Sequence, residues 1–352
     1  MGDRAGDNSQ ILGLGEALGW PFEIKHFVYT RFEKLVNLPF MKTLAGVSKA
    51  ESSALNPPWP DLIITAGRRN EPIARWIREQ SPNQVRIVHV GRPWARIEHF
   101  DLVVTTPQYR LPDLPNVLHN ETPLHRVNLE RLAKAAAEWA PRLEDLPKPR
   151  IAVLLGGNSG PYPFDVASGE RLAAQANLMA KETGGSLMVT TSKRTPADTT
   201  DALEAALTCP NVFYRFSPDA TENPYFGFLG LADAVIVTAD SVSMMAEACS
   251  AEKPVYFYDT GRGETAMHRP AGSEATSSDS RGLPLSRQHL KALTYRLTML
   301  VGPERLTRDI RIVQQLLIDT GRAGWLGEGP APPNPPPLLD MERAAERVQA
   351  LF

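Results

Sequence analysis

Two turns rich in glycine and hydroxyl side chains, about 85 residues apart, carry the residues best suited to chemistry. The first, Gly156-Gly157-Asn158-Ser159-Gly160, follows the apolar run Ile151-Ala-Val-Leu-Leu155. The second, Ala239-Asp240-Ser241-Val242-Ser243, follows Ala234-Val-Ile-Val-Thr238 and leads into Met244, Met245 and Glu247. A buried parallel strand that ends in small residues and opens a helix presents backbone N–H groups at the positive end of the helix dipole. Such an arrangement suits a phosphate or diphosphate. Glu247 follows Ser243 by four residues, one helical turn deeper on the same face, where a carboxylate can hold both hydroxyls of a ribose. Together these residues read as a nucleoside-diphosphate pocket. Neither turn is a GxGxxG or a GxxxxGK[ST] motif. The plainer reading of each is a bend between strand and helix, with Ser243 as an N-cap.

Several charged side chains complete the candidate set. Ser192, Lys193 and Arg194 follow the apolar run Leu187–Thr191, and the two cations are placed to meet a diphosphate. The alternative for Lys193 and Arg194 is a solvated strand end. Arg68 and Arg69 follow Asp61–Ala66, and Arg92 follows Val85–Val90, where they suit an anionic acceptor. Asp7, in the opening loop with Asp3, either accepts a proton from an acceptor hydroxyl or caps a helix at Ser9. His89 alternates with Val88 and Val90 and reads as a core histidine. Met244 and Met245 read as helix core and cleft lining. No DxD pair is evident, so diphosphate charge falls to the helix dipole and the cations, and neither metal nor cofactor is expected.

The elements that must position these residues alternate between strand and helix. Asp61–Thr65, Val85–Val90 and Asp101–Thr105 are short runs rich in Val and Ile, and Glu71–Gln80 has the spacing of a helix. The second half repeats the scheme, with strands near 151–155, 186–191, 211–214, 234–238 and 254–258. Buried strands separated by helices predict α/β architecture with parallel sheets in three layers. The pattern Asp61-Leu-Ile-Ile-Thr65-Ala66 echoes Asp233–Ala239, which predicts two Rossmann-like domains facing each other across a cleft, strand carboxyl ends inward. The expected domains are 1–145 and 146–328, joined through the Pro-rich stretch Ala140–Pro149. Residues 329–352 read as a second Pro-rich link and an amphipathic helix, Leu338 to Leu351, that crosses back to the first domain. Its stripe is Leu338, Met341, Ala345, Val348 and Phe352. At the other end, Met1–Gln10 followed by a helix from Ile11 to Leu18 reads as a strand–loop–helix unit whose strand is missing from the sequence. The reading favours a true start upstream of Met1 over a flexible leader.

Composition bounds the function. A chain of 352 residues with 42% apolar and 22% charged residues matches an ordinary globular protein of two domains. A net charge of −2 argues against a nucleic-acid partner. Cys209 and Cys249 are too few for a disulfide framework, and no His/Cys spacing suggests zinc. No signal peptide and no apolar run near 18 residues is seen, so the expected location is cytoplasmic, with any membrane contact peripheral.

Gly2–Leu14, Thr65-Ala66-Gly67-Arg68-Arg69, Leu155-Gly156-Gly157 and Thr238–Met244 resemble the mitochondrial-fission "elongated mitochondria" family and its bacterial relatives, over roughly residues 2–320. The resemblance implies the two-domain GT-B glycosyltransferase fold. It implies a more distant similarity to the peptidoglycan enzyme that adds N-acetylglucosamine to a lipid-linked acceptor. In that enzyme a second-domain glycine turn faces the diphosphate, and a Ser/Thr-rich helix start with a glutamate holds the nucleoside. Gly156, Gly157, Asn158, Ser241, Ser243 and Glu247 occupy the matching places here. The chain departs from the family in having Asp7 where a histidine is frequent, and its acceptor-side glycine loop matches only loosely. The implied function is metal-independent transfer from a nucleotide-diphosphate sugar to a lipid-linked or anionic acceptor at the inner face of a membrane. Plant members act as recruiting factors for the fission machinery, so a non-catalytic adaptor is the alternative, and a nucleotide-sugar epimerase a third.

Overall fold

The computed structural model describes residues 1–2, 4–30, 42–261, 266–268, 294–295, 302 and 307–352; Asp3 lies outside them. The chain divides into two compact units, residues 1–126 with 338–352, and residues 127–337.

In the first unit, α1 (Ala5–Leu18) precedes β1 (Leu62–Ala66), α2 (Glu71–Gln80), β2 (Arg86–Val90), β3 (Leu102–Thr105) and β4 (Val117–His119). The strands are parallel in the order β1-β2-β3-β4. Because helices cover both faces, the interior strands are apolar throughout rather than alternating. On one face Ile11, Leu14 and Leu18 of α1 pack on Val88, Val90, Leu102 and Val104. On the other, Ala74 of α2 packs on Ile87 and Val103.

Helix α1 begins six residues before the expected Ile11, so Asp7 lies in its first turn and not in a loop. Gly6, Gly13 and Gly15 lower helix propensity, and tertiary packing overrides it. A Cβ on Gly13 would lie 2.4 Å from the carbonyl oxygen of His125, so this crossing needs a glycine. The N-cap is Arg4, without a side-chain cap bond, so Asp7 does not cap a helix at Ser9.

The second unit holds α3 (Leu129–Trp139), β5 (Arg150–Leu154), α4 (Val166–Thr183), β6 (Ser186–Thr190), α5 (Ala197–Ala205), β7 (Asn211–Tyr214), α6 (Tyr225–Leu231), β8 (Ala234–Thr238), α7 (Val242–Cys249), β9 (Val255–Tyr258), α8 (Arg311–Asp319) and β10 (Gly324–Trp325). Its sheet runs β10-β9-β8-β5-β6-β7, all parallel. Counted from β5, that is the 3-2-1-4-5-6 order of a Rossmann domain. Leu172 and Ala176 of α4 close one face over Ile151, Val153, Leu187 and Ile236. Helix α3 packs on α6, where the Trp139 and Phe228 rings meet edge-on at 6.1 Å. That contact puts the unit boundary at 126/127. The Ala140–Pro149 stretch therefore lies inside the second unit, held by Arg150 Nη2 donating to Leu143 O (2.7 Å) and Ser186 Oγ donating to Pro147 O (2.6 Å). Strands β4 and β10 are three and two residues long, too short to leave a β-branched run in the sequence.

The last helix, α9 (Asp340–Gln349), belongs to the first unit, so it does cross back. Ala344 and Val348 are fully buried against α1 and the sheet. Phe352, expected to close the stripe, is instead 63% exposed, because the helix ends at Gln349; its ring meets Trp20 edge-on at 5.4 Å. Asp340 pins the helix. Its carboxylate accepts from the backbone N–H groups of Glu121 (2.9 Å) and Thr122 (2.8 Å) and from the Thr122 hydroxyl (2.9 Å). Replacing Asp340 by Ala would leave three donors without this acceptor, at about 1–3 kcal/mol for each that stays buried and finds no water. Asp340→Ala should therefore lower the stability of the first unit by about 2–4 kcal/mol in urea unfolding, with native exchange protection kept in β5 and β6.

Candidate functional site

The sheet of the second unit reverses its winding between β5 and β8, which pair from Ile151↔Ala234 to Leu154↔Val237. Connections leave these two strands toward opposite sides, which opens a crevice beyond their carboxyl ends. Both glycine- and hydroxyl-rich turns emerge there.

The first turn is held by internal partners. Gly156 N donates to Thr238 Oγ1 (2.7 Å) and Gly157 N to Asp240 Oδ2 (3.0 Å). Asp240 is fully buried, and its Oδ2 lies 3.0 Å from Nη1 of Arg194. Burial pushes its carboxyl above the usual range, against the opposing Arg194 charge. The glycines make room for this arrangement. A Cβ on Gly156 would lie 2.3 Å from Asp240 Oδ1, and one on Gly157 would lie 2.1 Å from the Arg194 carbonyl oxygen. Ser192 Oγ donates to Gly156 O (2.6 Å), while Lys193 is exposed. Asn158 Oδ1 accepts from Phe164 N (2.8 Å), and Ser159 and Tyr162 form an antiparallel bridge. This loop delays α4 to Val166, where the Asp165 side chain caps it, so the first turn does not open a helix as expected.

The second turn does open a helix. Ser241, not Ser243, is the N-cap of α7, and no side-chain cap bond fills it. Ser243 and Met244 follow in the first turn, partly exposed, while Met245 is buried. One turn on, Glu247 Oε2 accepts from the Tyr225 hydroxyl at the start of α6 (2.6 Å). Burial raises the Glu247 carboxyl to about 7, with the Tyr225 hydrogen bond acting in the opposite sense. The same burial, with the carboxylate beside it, pushes the Tyr225 phenol well above its ordinary value.

In the first unit, Asp7, Arg68 and Arg69 line one small pocket at the carboxyl end of β1, with Gly2, Arg4, Asn8, Tyr29 and Asn70. Gly67 (φ +75°) admits Asp7; a Cβ there would lie 2.8 Å from Asp7 Oδ2. Each arginine also has an aromatic seat: Arg68 on Trp94 (6.0 Å), Arg69 on Tyr29 (5.4 Å) and Arg92 on Tyr109 (5.5 Å). Arg92 does not line the pocket. His89 is fully buried, with Nε2 3.2 Å from Glu71 Oε1. Tyr225 and Thr238 were missed as site residues. Tyr225 meets Glu247 across 22 positions, and no local spacing encodes such a contact.

A family profile described as "Mitochondrial fission ELM1" matches residues 5–271. The mitochondrial fission protein ELM1 of Arabidopsis thaliana is 31% identical over 221 residues, 56% of this chain and 51% of that protein. The chain thus spans about half the length of this plant relative. An uncharacterized protein of Rickettsia prowazekii (strain Madrid E) is 24% identical over 288 residues, 73% of this chain and 81% of that one. A glycosyltransferase structure from Rickettsia africae ESF-5 aligns with a TM-score of 0.38 at 9% identity, covering 82% of this chain and 77% of that one.

The raised Glu247 carboxyl makes stability depend on pH. Its folded value, about 7, lies above its ordinary 4.5, so the folded state binds the extra proton between those limits. Stability is therefore lost as pH rises from 4.5 toward 7. Glu247→Gln keeps an acceptor for Tyr225 and removes the charge. At pH 8 the variant should be more stable than the parent by up to about 3 kcal/mol, at roughly 1.4 kcal/mol per pKa unit. At pH 4 the two should unfold together, and a pH-independent difference in thermal unfolding would refute the assignment.

Proposed function

We propose that this chain, which belongs to the mitochondrial fission ELM1 family, is a GT-B-type glycosyltransferase whose second unit holds a nucleoside-diphosphate sugar. The observation that carries the reading is the meeting of β5 and β8 at the switch point of a 3-2-1-4-5-6 sheet, with α7 opening there and Glu247 one turn further in. The diphosphate sits at the α7 start, over Ser241 and Ser243, and Arg194 supplies positive charge beside it. Glu247 accepts from the ribose hydroxyls. The amides of Gly156 and Gly157 already have acceptors, so these glycines shape the seat more than they bind.

In this reading Arg68 and Arg69 hold an anionic acceptor, free or lipid-linked. Asp7 takes the acceptor proton as its oxygen attacks the anomeric carbon, and the bond to the diphosphate breaks. The diphosphate leaves with the electron pair, its charge met by dipole and cation and not by a metal. A place at the inner face of a membrane belongs to the same proposal. Among the described residues, no helix is long and apolar enough to cross a membrane.

A non-catalytic adaptor is the second reading. It is favoured by the internal partners that already satisfy Gly156, Gly157 and Glu247. Calorimetry with UDP, GDP, ADP and CMP separates the two. The donor reading expects one of these to bind, and Glu247→Ala to weaken it at least tenfold, since charge-assisted hydrogen bonds contribute about 1.5–3 kcal/mol. Affinity should also rise with pH through about 7, as Glu247 loses its proton, and this rise should vanish in Glu247→Gln. Unchanged affinity in Glu247→Ala would refute the ribose placement, and no binding by any of the four would favour the adaptor.

A further inference from the structure

Among the described residues, strand β1 is hydrogen-bonded on one side only, to β2. Its Leu62, Ile63 and Ile64 are half-exposed, while β3 beyond β2 is buried along its whole length. On the open side lies a cavity of about 1150 Å³. Its far wall is the segment 21–28, which has neither helix nor strand and carries Phe22 (53% exposed) and Ile24 (40% exposed). Exposed large apolar side chains are otherwise scattered, yet Trp20, Phe22, Ile24 and Phe352 gather around this one opening. A contiguous apolar patch of this kind marks a binding surface.

Met1 defines what fits. Its N-terminal nitrogen donates to Lys25 O, and its carbonyl oxygen accepts from Phe27 N (2.9 Å). Those two bonds are the signature of a parallel bridge between Met1 and His26. One residue of a parallel ladder is therefore already laid down at the end of the groove, with β1 along one wall and 21–28 along the other. Leu62 and Ile64 face the layer of α1 and α9, while Ile63 faces that of α2. A strand between them needs apolar side chains on both faces.

We propose that the groove seats a further parallel strand, an extended apolar segment of about five residues, matching β1, that runs beside β1 and leads directly into Met1. Continuing the Met1–His26 register, the residue two before Met1 lies opposite Ile24, and the residue four before it opposite Phe22. The strand joins 21–28 to β1 and turns two free edges into one continuous sheet. A second copy of the chain does not meet these terms, since two β1 edges paired about a two-fold axis run antiparallel and leave the slot itself unfilled.

Two lengthened chains test this. One carries six residues of valine, isoleucine and leucine ending in threonine ahead of Met1; the other carries six alternating glycines and serines. Hydrogen exchange is read by peptide mass spectrometry at 22–27 and 62–66, at two protein concentrations. The apolar extension should slow exchange in both segments at least tenfold and raise Tm, while the glycine–serine extension leaves both as in the parent. Equal exchange in the two lengthened chains would overturn the proposal. Protection that grows with protein concentration in both would overturn it in favour of a second copy. The same apolar peptide added separately should protect far less, because in trans it lacks the effective concentration of the joined strand.

Discussion

A fully buried carboxylate, Asp240, governs the geometry of the candidate donor site. Burying a charge is costly unless it is paired and hydrogen-bonded. The surroundings of Asp240 answer that cost in three ways: the Gly157 amide, the Arg194 guanidinium and the absence of a side chain at Gly156. These requirements fix the path of residues 156–158 and the approach of 192–195. Their effect is to turn a motif that looks like a phosphate loop into a support for its neighbour. The start of α7 is left without a side-chain cap bond, with Glu247 one turn further in, and it is there that the proposed donor reading seats the diphosphate.

Glu247 shows the opposite balance. The residue keeps some surface exposure, and its carboxylate accepts from a neutral phenol, which supplies one hydrogen bond and no charge. The carboxyl accordingly titrates near neutrality, where a ligand offering two hydroxyls can stabilise its ionised form. Perturbed acids are enriched at functional sites, which is why the proposed donor reading gives Glu247 its role. The two carboxylates sit on one turn and helix, seven residues apart, with opposite assignments that follow from their partners.

In the first unit the governing demand is coverage of a parallel sheet. Both faces must be shielded, and α1 alone does not cover its side, so α9 returns from the far end of the chain to complete the layer. Asp340 fastens it by bonding backbone donors that the turn after β4 leaves free. The edges of the sheet obey the same logic, and among the described residues the open side of β1 is left without a paired strand.

The local pattern of the sequence determined the α/β class, nearly all the strands and the amphipathic stripe of α9, because apolar periodicity and strand length are properties of neighbouring residues. It also placed Ser241, Ser243 and Glu247 together, since four-residue spacing on one helix is local. Tertiary structure decided the rest. Whether Gly156 and Gly157 bind a ligand or admit Asp240 depends on a contact 83 positions away. The close crossing of α1 by the chain at His125 depends on Gly13, and the pKa of Glu247 on Tyr225 and on burial that no spacing announces. Composition marked Ala140–Pro149 as irregular, but only the packing of α3 on α6 decided to which unit it belongs. Backbone periodicity is written along the chain, whereas the partners of a buried charge or a glycine are chosen by side chains that meet only after folding.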